Sequence, residues 1–229
     1  MKTAIISDIH GNHPALKAVL EDADREGVNR FFCLGDMVGY YCMFNEVVET
    51  IRKRNIPCLT GNHDFALLRN NGIIERSKTC TRILTRQLSE ITPENKAWLE
   101  TLGTSFSFTQ TGRNYYCVHG GLQDPVDEYI RNINKSYFEQ NAFTADVLIS
   151  GHTHLPRNEE YPPYRYLNPG AVGQPRDGNP AASYMILDGE QVLHKRVVYD
   201  IDEIAGAMRE NGYDDYIYEI LYRGVKVGG

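Results

Sequence analysis

At 229 residues and 41% hydrophobic, the chain carries enough apolar material for one sizeable core, and length alone allows one large domain or two small ones. A formal net charge of −6 offers no basic footprint for duplex nucleic acid and argues against a sequence-specific binder of it. Phosphate-bearing ligands are not excluded, because bound divalent ions would add positive charge that the sequence count omits.

The N-terminus, Met1-Lys2-Thr3-Ala4-Ile5-Ile6-Ser7-Asp8, runs directly into an apolar strand, which leaves no room for a signal peptide. No apolar stretch approaches the ~20 residues of a membrane span. A cytoplasmic chain that makes no use of a membrane is expected. The five cysteines, Cys33, Cys42, Cys58, Cys80 and Cys117, are odd in number and lack C-x-x-C spacing, so reduced thiols are expected.

In chain order the pattern predicts a strand at 3–7, a helix from Pro14 to about Glu26, a strand at 30–34, a helix at about 44–54 and a strand at 56–60. Pro14 suits a first helical turn, and Leu16, Val19, Leu20 and Ala23 make an apolar stripe at helical spacing. These are right-handed βαβ units. From about 65 to 102 the sequence is polar and helical, with Ile83, Leu84, Leu88, Trp98, Leu99 and Leu102 as anchors. Strands at 105–110 and 114–118 follow, then a helix near 134–142 and a strand at 146–150. The remainder predicts strands at 164–167, 182–187 and 191–199 and helices near 201–211 and 213–222. With no linker or charge block to divide it, residues 1–229 are expected to form a single domain carrying a helical insertion at about 65–102.

Five segments set histidines beside carboxylates and glycines: Asp8-Ile9-His10, Gly35-Asp36, Gly61-Asn62-His63-Asp64, His119-Gly120-Gly121 and Gly151-His152-Thr153-His154. Each follows an apolar run that reads as a buried strand, so all five are expected to be loops at strand C-termini, where open α/β sheets place their sites. Imidazole nitrogens mixed with hard carboxylate and amide oxygens are the donor set of divalent metals that activate water.

Taken together, D-x-H, G-D, G-N-H-D, V-H-G and G-H-T-H in this order resemble the calcineurin-like metallophosphoesterase superfamily. Within it the chain looks most like the compact single-domain prokaryotic phosphodiesterases. That likeness is carried by Ser7-Asp8-Ile9-His10-Gly11-Asn12, by Gly35-Asp36-Met37-Val38-Gly39-Tyr40, and by the run from Asn168 to Asp177. The resemblance implies an α/β fold, a four-layer α-β-β-α sandwich of two mixed sheets. It implies two divalent metal ions, manganese first among Mn, Fe, Ni, Zn, Co and Mg. One would sit on Asp8, His10, Asp36 and His154, the other on Asp36, Asn62, His119 and His152, with Asp36 bridging. Such a pair can generate a hydroxide near neutral pH and clamp an in-line displacement. The resemblance further implies that His63 protonates the leaving oxygen or binds the phosphoryl group, and Asp64 is placed to hold its ring.

Other residues carry less. Tyr40 and Tyr41 could stack on a nucleobase or aryl group or pack at the rim, and Arg176 could contact a phosphate or serve its own loop. Asn12 is expected to cap the following helix, His13 to be exposed, and His194 to lie on a solvated face. After Gly39-Tyr40 the chain departs from its relatives, reading Tyr41-Cys42-Met43-Phe44 where they commonly have Gly-Pro.

The expected function is hydrolysis of small or nucleotide-like phosphodiesters. A phosphomonoesterase of the protein-phosphatase or dinucleoside-tetraphosphatase kind normally carries an arginine after the second segment, where this chain has Gly39-Tyr40. A non-catalytic interaction module of the same fold would have eroded ligands, and none is eroded here. The substrate is expected to be the main partner, with homo-oligomerisation left open.

Overall fold

The computed structural model describes residues 1–69 and 77–227. The first half alternates as expected through β1 (Lys2–Ile6), α1 (His13–Arg25), β2 (Arg30–Cys33) and α2 (Phe44–Lys53). Pro14 stands in the first turn of α1, and Leu16, Val19, Leu20 and Ala23 are its buried face. Asn12 caps this helix, its side chain accepting from the Ala15 amide.

Residues 56–60 depart from the expected strand and make only single-residue bridges, Cys33 with Cys58 and Leu59 with Gly103. Pro57 has no N–H to donate, so a full ladder cannot form across it. The polar helical stretch comprises α3 (Asn62–Arg69), α4 (Lys78–Glu90) and α5 (Pro93–Leu99), while the expectation for 70–76 falls outside the described residues. Of its anchors, Ile83, Leu84 and Leu99 are buried, and Leu88, Trp98 and Leu102 pack half-buried against the same cluster.

The second half contains β3 (Ser105–Gln110), β4 (Arg113–Val118), α6 (Lys135–Gln140), β5 (Val147–Ile149), β6 (Pro156–Tyr161), β7 (Tyr164–Pro169), β8 (Ala182–Asp188) and β9 (Gln191–Val197). It closes with α7 (Ile201–Glu210), as expected, and then with α8 (Asp215–Tyr218) and a 3₁₀ turn at Glu219–Arg223, these last two sharing the 213–222 stretch where one helix was expected. Strand β6 carries no apolar pattern, because as an edge strand it is paired on one side only and begins on a proline.

The strands form two mixed sheets, one in the order β2-β1-β8-β9 and the other β3-β4-β5-β7-β6. Their facing surfaces share one apolar cluster, with Ile5, Phe32 and Met185 from the first sheet and Cys117, Ile149 and Leu167 from the second. Ala4, Ile6 and Ile186 point the other way, into a cluster with Leu16, Val47 and Ile204 of the helices. On the far side Val118, Leu148 and Tyr166 pack on Phe138 of α6. Alternation along β1 therefore feeds two cores at once, each fully buried Ile or Leu contributing about 1.5–3 kcal/mol. The result is the four-layer α-β-β-α sandwich of two mixed sheets.

Strands β1 and β2 run parallel, as do β4, β5 and β7, so their C-termini open toward a common rim. The rim is stitched together: the Gly173 amide, past β7, donates to the Asp8 carbonyl after β1 at 3.0 Å, and within the second sheet Gly151 donates to the His119 carbonyl at 2.9 Å.

Candidate metal centre

The residues leaving these strand ends are bent into an uncommon conformation. Asp8, His10, Asp36, His152 and His154 all have positive φ, between 53° and 64°. Left-handed backbone costs a non-glycine residue free energy, and such strain gathers where side chains must be aimed at a site. Four of the five segments are loops, as expected. Gly61-Asn62-His63-Asp64 instead starts a helix, because Asp64 accepts the Gly61 amide at 3.0 Å as α3 begins.

The seven expected metal ligands converge. Asp8 with His10 and His154, and Asp36 with His119 and His152, each form a group whose ligand atoms lie within 4.8 Å of one another. The Oδ2 of Asp36 stands between them, 3.6 Å from Nε2 of His10 and 3.3 Å from Nε2 of His119. The Oδ1 of Asn62 lies 3.1 Å from His119 Nε2. The Oδ1 of Asp8 is 3.3 Å from His154 Nε2, and the His152 amide donates to its other oxygen at 3.1 Å.

The hydrogen-bond inventory fits a cation. The Nδ1 atoms of His10, His119 and His154 face the carbonyls of Val38, Leu34 and Gln174 at 3.0, 2.9 and 2.6 Å. A carbonyl only accepts, so each Nδ1 carries a proton and each ring turns its Nε2 inward, bare in the neutral rings of His10 and His154 and free to ligate in His119 once its second proton is lost. Asp8 Oδ1 and Asp36 Oδ2 are fully buried, yet neither accepts a well-formed hydrogen bond. Acceptors left facing acceptors in a buried site are costly, and a divalent ion satisfies them all.

His63 comes to the same place but belongs to a different part of it. Its amide donates to Asp36 Oδ1 at 2.8 Å, and its ring packs against His10 and Tyr40 with centroids 4.7 and 5.0 Å apart. Gly39, at φ 93°, makes room for that ring: a Cβ there would lie 2.3 Å from His63 Nδ1.

Asp64 does not hold the His63 ring. Its carboxylate accepts the amides of Asp36, Met37, Val38 and Gly61 at 2.8–3.1 Å. With those bonds it ties the second and third segments together and fixes the turn that aims Asp36. Gly61 is required at the same junction, since a Cβ would meet Asp36 Oδ1 at 2.1 Å.

A cavity of about 570 Å³ opens over the cluster, lined among others by Asp36, Asn62, His63, His152 and His154. Tyr40 and Arg176 also line it. Arg176 is held by Gln174, whose Oε1 accepts its Nη2 at 2.7 Å, and reaches Tyr40 OH at 3.4 Å. Tyr41 is wholly buried with its hydroxyl against Gln174 Nε2, so it packs and cannot stack on a ligand.

Asn12 does more than cap, donating also to the Gly173 carbonyl and Tyr199 OH, each at 3.0 Å. His13 is half-buried against Thr50, not exposed. His194 likewise departs from a solvated face: its Nε2 meets the Asn168 carbonyl at 2.8 Å and links β9 to β7.

Sequence reading missed three contributors. Gln174 serves His154 through its carbonyl and Arg176 through its side chain. Buried Gln87 on α4 accepts from the Gly39 amide at 2.8 Å. Tyr129 stands edge-on to His152 with centroids 5.3 Å apart. For Gln174 the signal was its place in a Gly/Pro-rich run beside Arg176; for the other two only the fold supplies it.

Electrostatics follow the geometry. Burial alone would raise Asp8 and Asp36, but His154 and His119 outweigh it for Asp8, and His119 and His63 for Asp36, holding both carboxyls below the usual range. Burial pushes His10 well down, His63 to about 4, and His154 down with help from Arg176. His119 goes the other way. Burial opposes its charge, yet Asp36 and Asp8 prevail and lift it to about 10.

Comparison with known proteins points to one family. Residues 1–191 match the calcineurin-like phosphoesterase superfamily domain. An uncharacterized protein of Methanocaldococcus jannaschii is 33% identical over 96% of this chain and 97% of its own. The phosphodiesterase YfcE of Escherichia coli is 29% identical over 83% of this chain and 89% of its own. The crystal structure of a metallophosphoesterase from Sphaerobacter thermophilus superposes with a TM-score of 0.84 at 33% identity, covering 98% of this chain and 99% of that one. Since the matched stretch contains every segment that turns a donor into the cluster, the chain belongs to the calcineurin-like phosphoesterase superfamily.

Proposed function

We propose that the protein is a dinuclear metal-dependent phosphoesterase whose preferred substrates are small or nucleotide-like phosphodiesters. The observation that carries this reading is Asp36 Oδ2, an orphaned buried oxygen with an inward-facing imidazole on either side, one from each donor group. Divalent ions held there would polarise the phosphoryl oxygens and supply a nucleophile from water near neutral pH. The first would rest on Asp8, His10, Asp36 and His154, the second on Asp36, Asn62, His119 and His152. Manganese is our first choice on the family resemblance, and the donor set, imidazole mixed with carboxylate and amide oxygen, accommodates it along with Fe, Ni, Zn, Co and Mg.

The remaining roles belong to side chains of the cavity. His63 is placed to protonate the leaving oxygen, with Asp64 fixing the turn from which Asp36 and His63 are aimed. Arg176 is bonded to the neutral groups Gln174 and Tyr40, so these partners leave its positive charge uncompensated for a phosphoryl oxygen. One such cation suits a diester, which carries one negative charge against nearly two on a monoester. The naming of the Escherichia coli relative as a phosphodiesterase supports the same choice. Five cysteines, odd in number and without C-x-x-C spacing, fit the reducing cytoplasm in which we place the enzyme. Among the described residues no helix is long and apolar enough to cross a membrane. We read the chain as one domain, because Arg86 of α4 donates to the Asn211 carbonyl beyond the family-matched region.

The test is an assay after chelation and refilling with single metals. Bis-p-nitrophenyl phosphate is expected to show a kcat/KM at least about tenfold above p-nitrophenyl phosphate, ~1.4 kcal/mol in the barrier. Preference for the monoester with every metal would overturn the diesterase reading and favour a phosphatase, leaving the metal centre intact.

A further inference from the structure

Part of the cavity wall comes from outside the family-matched region, which ends at residue 191. Tyr216 and Val227 line the cavity together with Thr79 and Cys80 at the start of α4. The two contributions are joined: Thr79 Oγ1 and Tyr216 OH are hydrogen-bonded at 2.7 Å across 137 positions of sequence. Behind that bond the C-terminal segment is fastened to the same helix. Arg82 pairs with Asp214, Arg86 donates to the Asn211 carbonyl at 2.7 Å, and its guanidinium lies 4.4 Å from the Tyr213 ring centroid.

A tyrosine whose hydroxyl is bonded to a separate element cannot swing aside without breaking that bond. Its ring is 44% exposed by residue and faces the cavity, so it acts as a fixed bar in the wall and not as core. A cavity of about 570 Å³ is the size that encloses a small ligand. Resting on the diesterase reading above, we propose that Tyr216, tethered to Thr79, limits the size of the ester substituent. The site takes phosphodiesters whose second alcohol is no larger than one nucleoside and turns away those whose chain continues beyond it. This makes Tyr216 a specificity residue of the C-terminal segment.

The experiment uses the metal-loaded full chain and p-nitrophenyl phosphodiesters whose second alcohol is methanol, thymidine or the terminal residue of a thymidine octanucleotide. All release the same p-nitrophenolate, so differences report the second substituent. For the unaltered protein the octanucleotide ester is expected to have a kcat/KM about tenfold or more below the thymidine ester. Tyr216→Ala is expected to raise the octanucleotide-to-methyl ratio by about tenfold. Tyr216→Phe and Thr79→Val, which each cut only the tether, should raise it part of the way, and the double variant should go no further than either. Equal kcat/KM across the series, or an unmoved ratio in Tyr216→Ala, would overturn the proposal. If the protein hydrolyses p-nitrophenyl phosphate but none of the diesters, it is the diesterase reading that fails. The wall is then read by competition: thymidine 5′-monophosphate should inhibit better than a 5′-phosphorylated octanucleotide, and equal inhibition would overturn the size limit.

Discussion

The Nε2 atoms of His10 and His154 face one another at 3.2 Å, although each ring has already given its Nδ1 proton to a main-chain carbonyl. Two lone pairs at that distance repel unless a cation lies between or beside them. Divalent metal should therefore stabilise the fold strongly: at a free concentration near 100 times Kd the gain is about 2.7 kcal/mol. For a chain of this size that corresponds to a Tm rise of roughly 5–10 °C over the chelated protein. Asp36→Asn should remove most of this rise and lower the content of both ions, because Oδ2 serves both donor groups. Differential scanning fluorimetry with elemental analysis measures it. Two retained ions and full activity in that variant would remove the bridging role.

Loading the metal should also release protons. In the metal-free protein His119 is lifted to about 10, so at pH 7.5 it is imidazolium and must give up its Nε2 proton before it can ligate. His10 and His154, with lowered values, are already neutral there. Calorimetric titration in two buffers of different ionisation enthalpy should give about one proton released per protein at pH 7.5, falling toward none above pH 10. The sign for stability agrees: a raised histidine contributes fully below pH 6.5 and loses that contribution as pH rises through about 10. Chelated protein should lose stability over that window, and metal-loaded protein should not. A proton count of zero at pH 7.5 would contradict the protonated His119.

Asp64 offers a test that separates architecture from chemistry. Removing a buried carboxylate that four amides depend on leaves those donors unsatisfied, and hydrogen bonds to charged groups contribute about 1.5–3 kcal/mol each. Asp64→Ala is expected to cost about 3–5 kcal/mol in urea unfolding and to weaken metal binding through Asp36. Asp64→Asn keeps two acceptor lone pairs on one oxygen and should lose less. A residue that merely oriented the His63 ring would lower turnover with stability nearly unchanged, so an undiminished unfolding midpoint in Asp64→Ala would restore that role.

These cases mark how far the sequence could be read. Strand-then-polar punctuation placed four of the five strand ends, and each of the five segments still sends at least one donor into the cluster. What could not be read was backbone geometry: positive φ at Asp8 or His152 has no sequence mark, because neither residue is a glycine. Asp64 was misassigned because adjacency to His63 suggested a side-chain partner, whereas helix initiation turned its carboxylate back onto amides from residues 36–38. Strand β6 was missed at its edge position, where apolar periodicity carries no signal, and 56–60 was over-read as a strand because its apolar run masked the effect of Pro57. Gln174, Gln87 and Tyr216 act through contacts more than 40 positions away or through a main-chain carbonyl, and only the packed fold brings these together.

The last prediction concerns His63, whose ring lies over Gly39 beside the ligands and, among the described residues, is hydrogen-bonded to no carboxylate. Burial pushes its pKa to about 4 in the ligand-free protein, so at neutral pH it starts unprotonated. A bound phosphoryl anion works against that shift, because an opposite charge favours the protonated ring. His63 would then hold its proton where the leaving oxygen needs one. His63→Asn should keep nearly normal metal content and lose roughly 10²–10⁴-fold in turnover, the usual contribution of a positioned acid or base. The loss should be larger for an alkyl diester than for a p-nitrophenyl diester, because a good leaving group departs without protonation. Geometry leaves one other outcome to check, since His63 also forms a close group with His10 and Asp36. If the variant loses metal in proportion to its activity, and aryl and alkyl substrates suffer alike, His63 is a ligand and the acid must be sought elsewhere in the cavity.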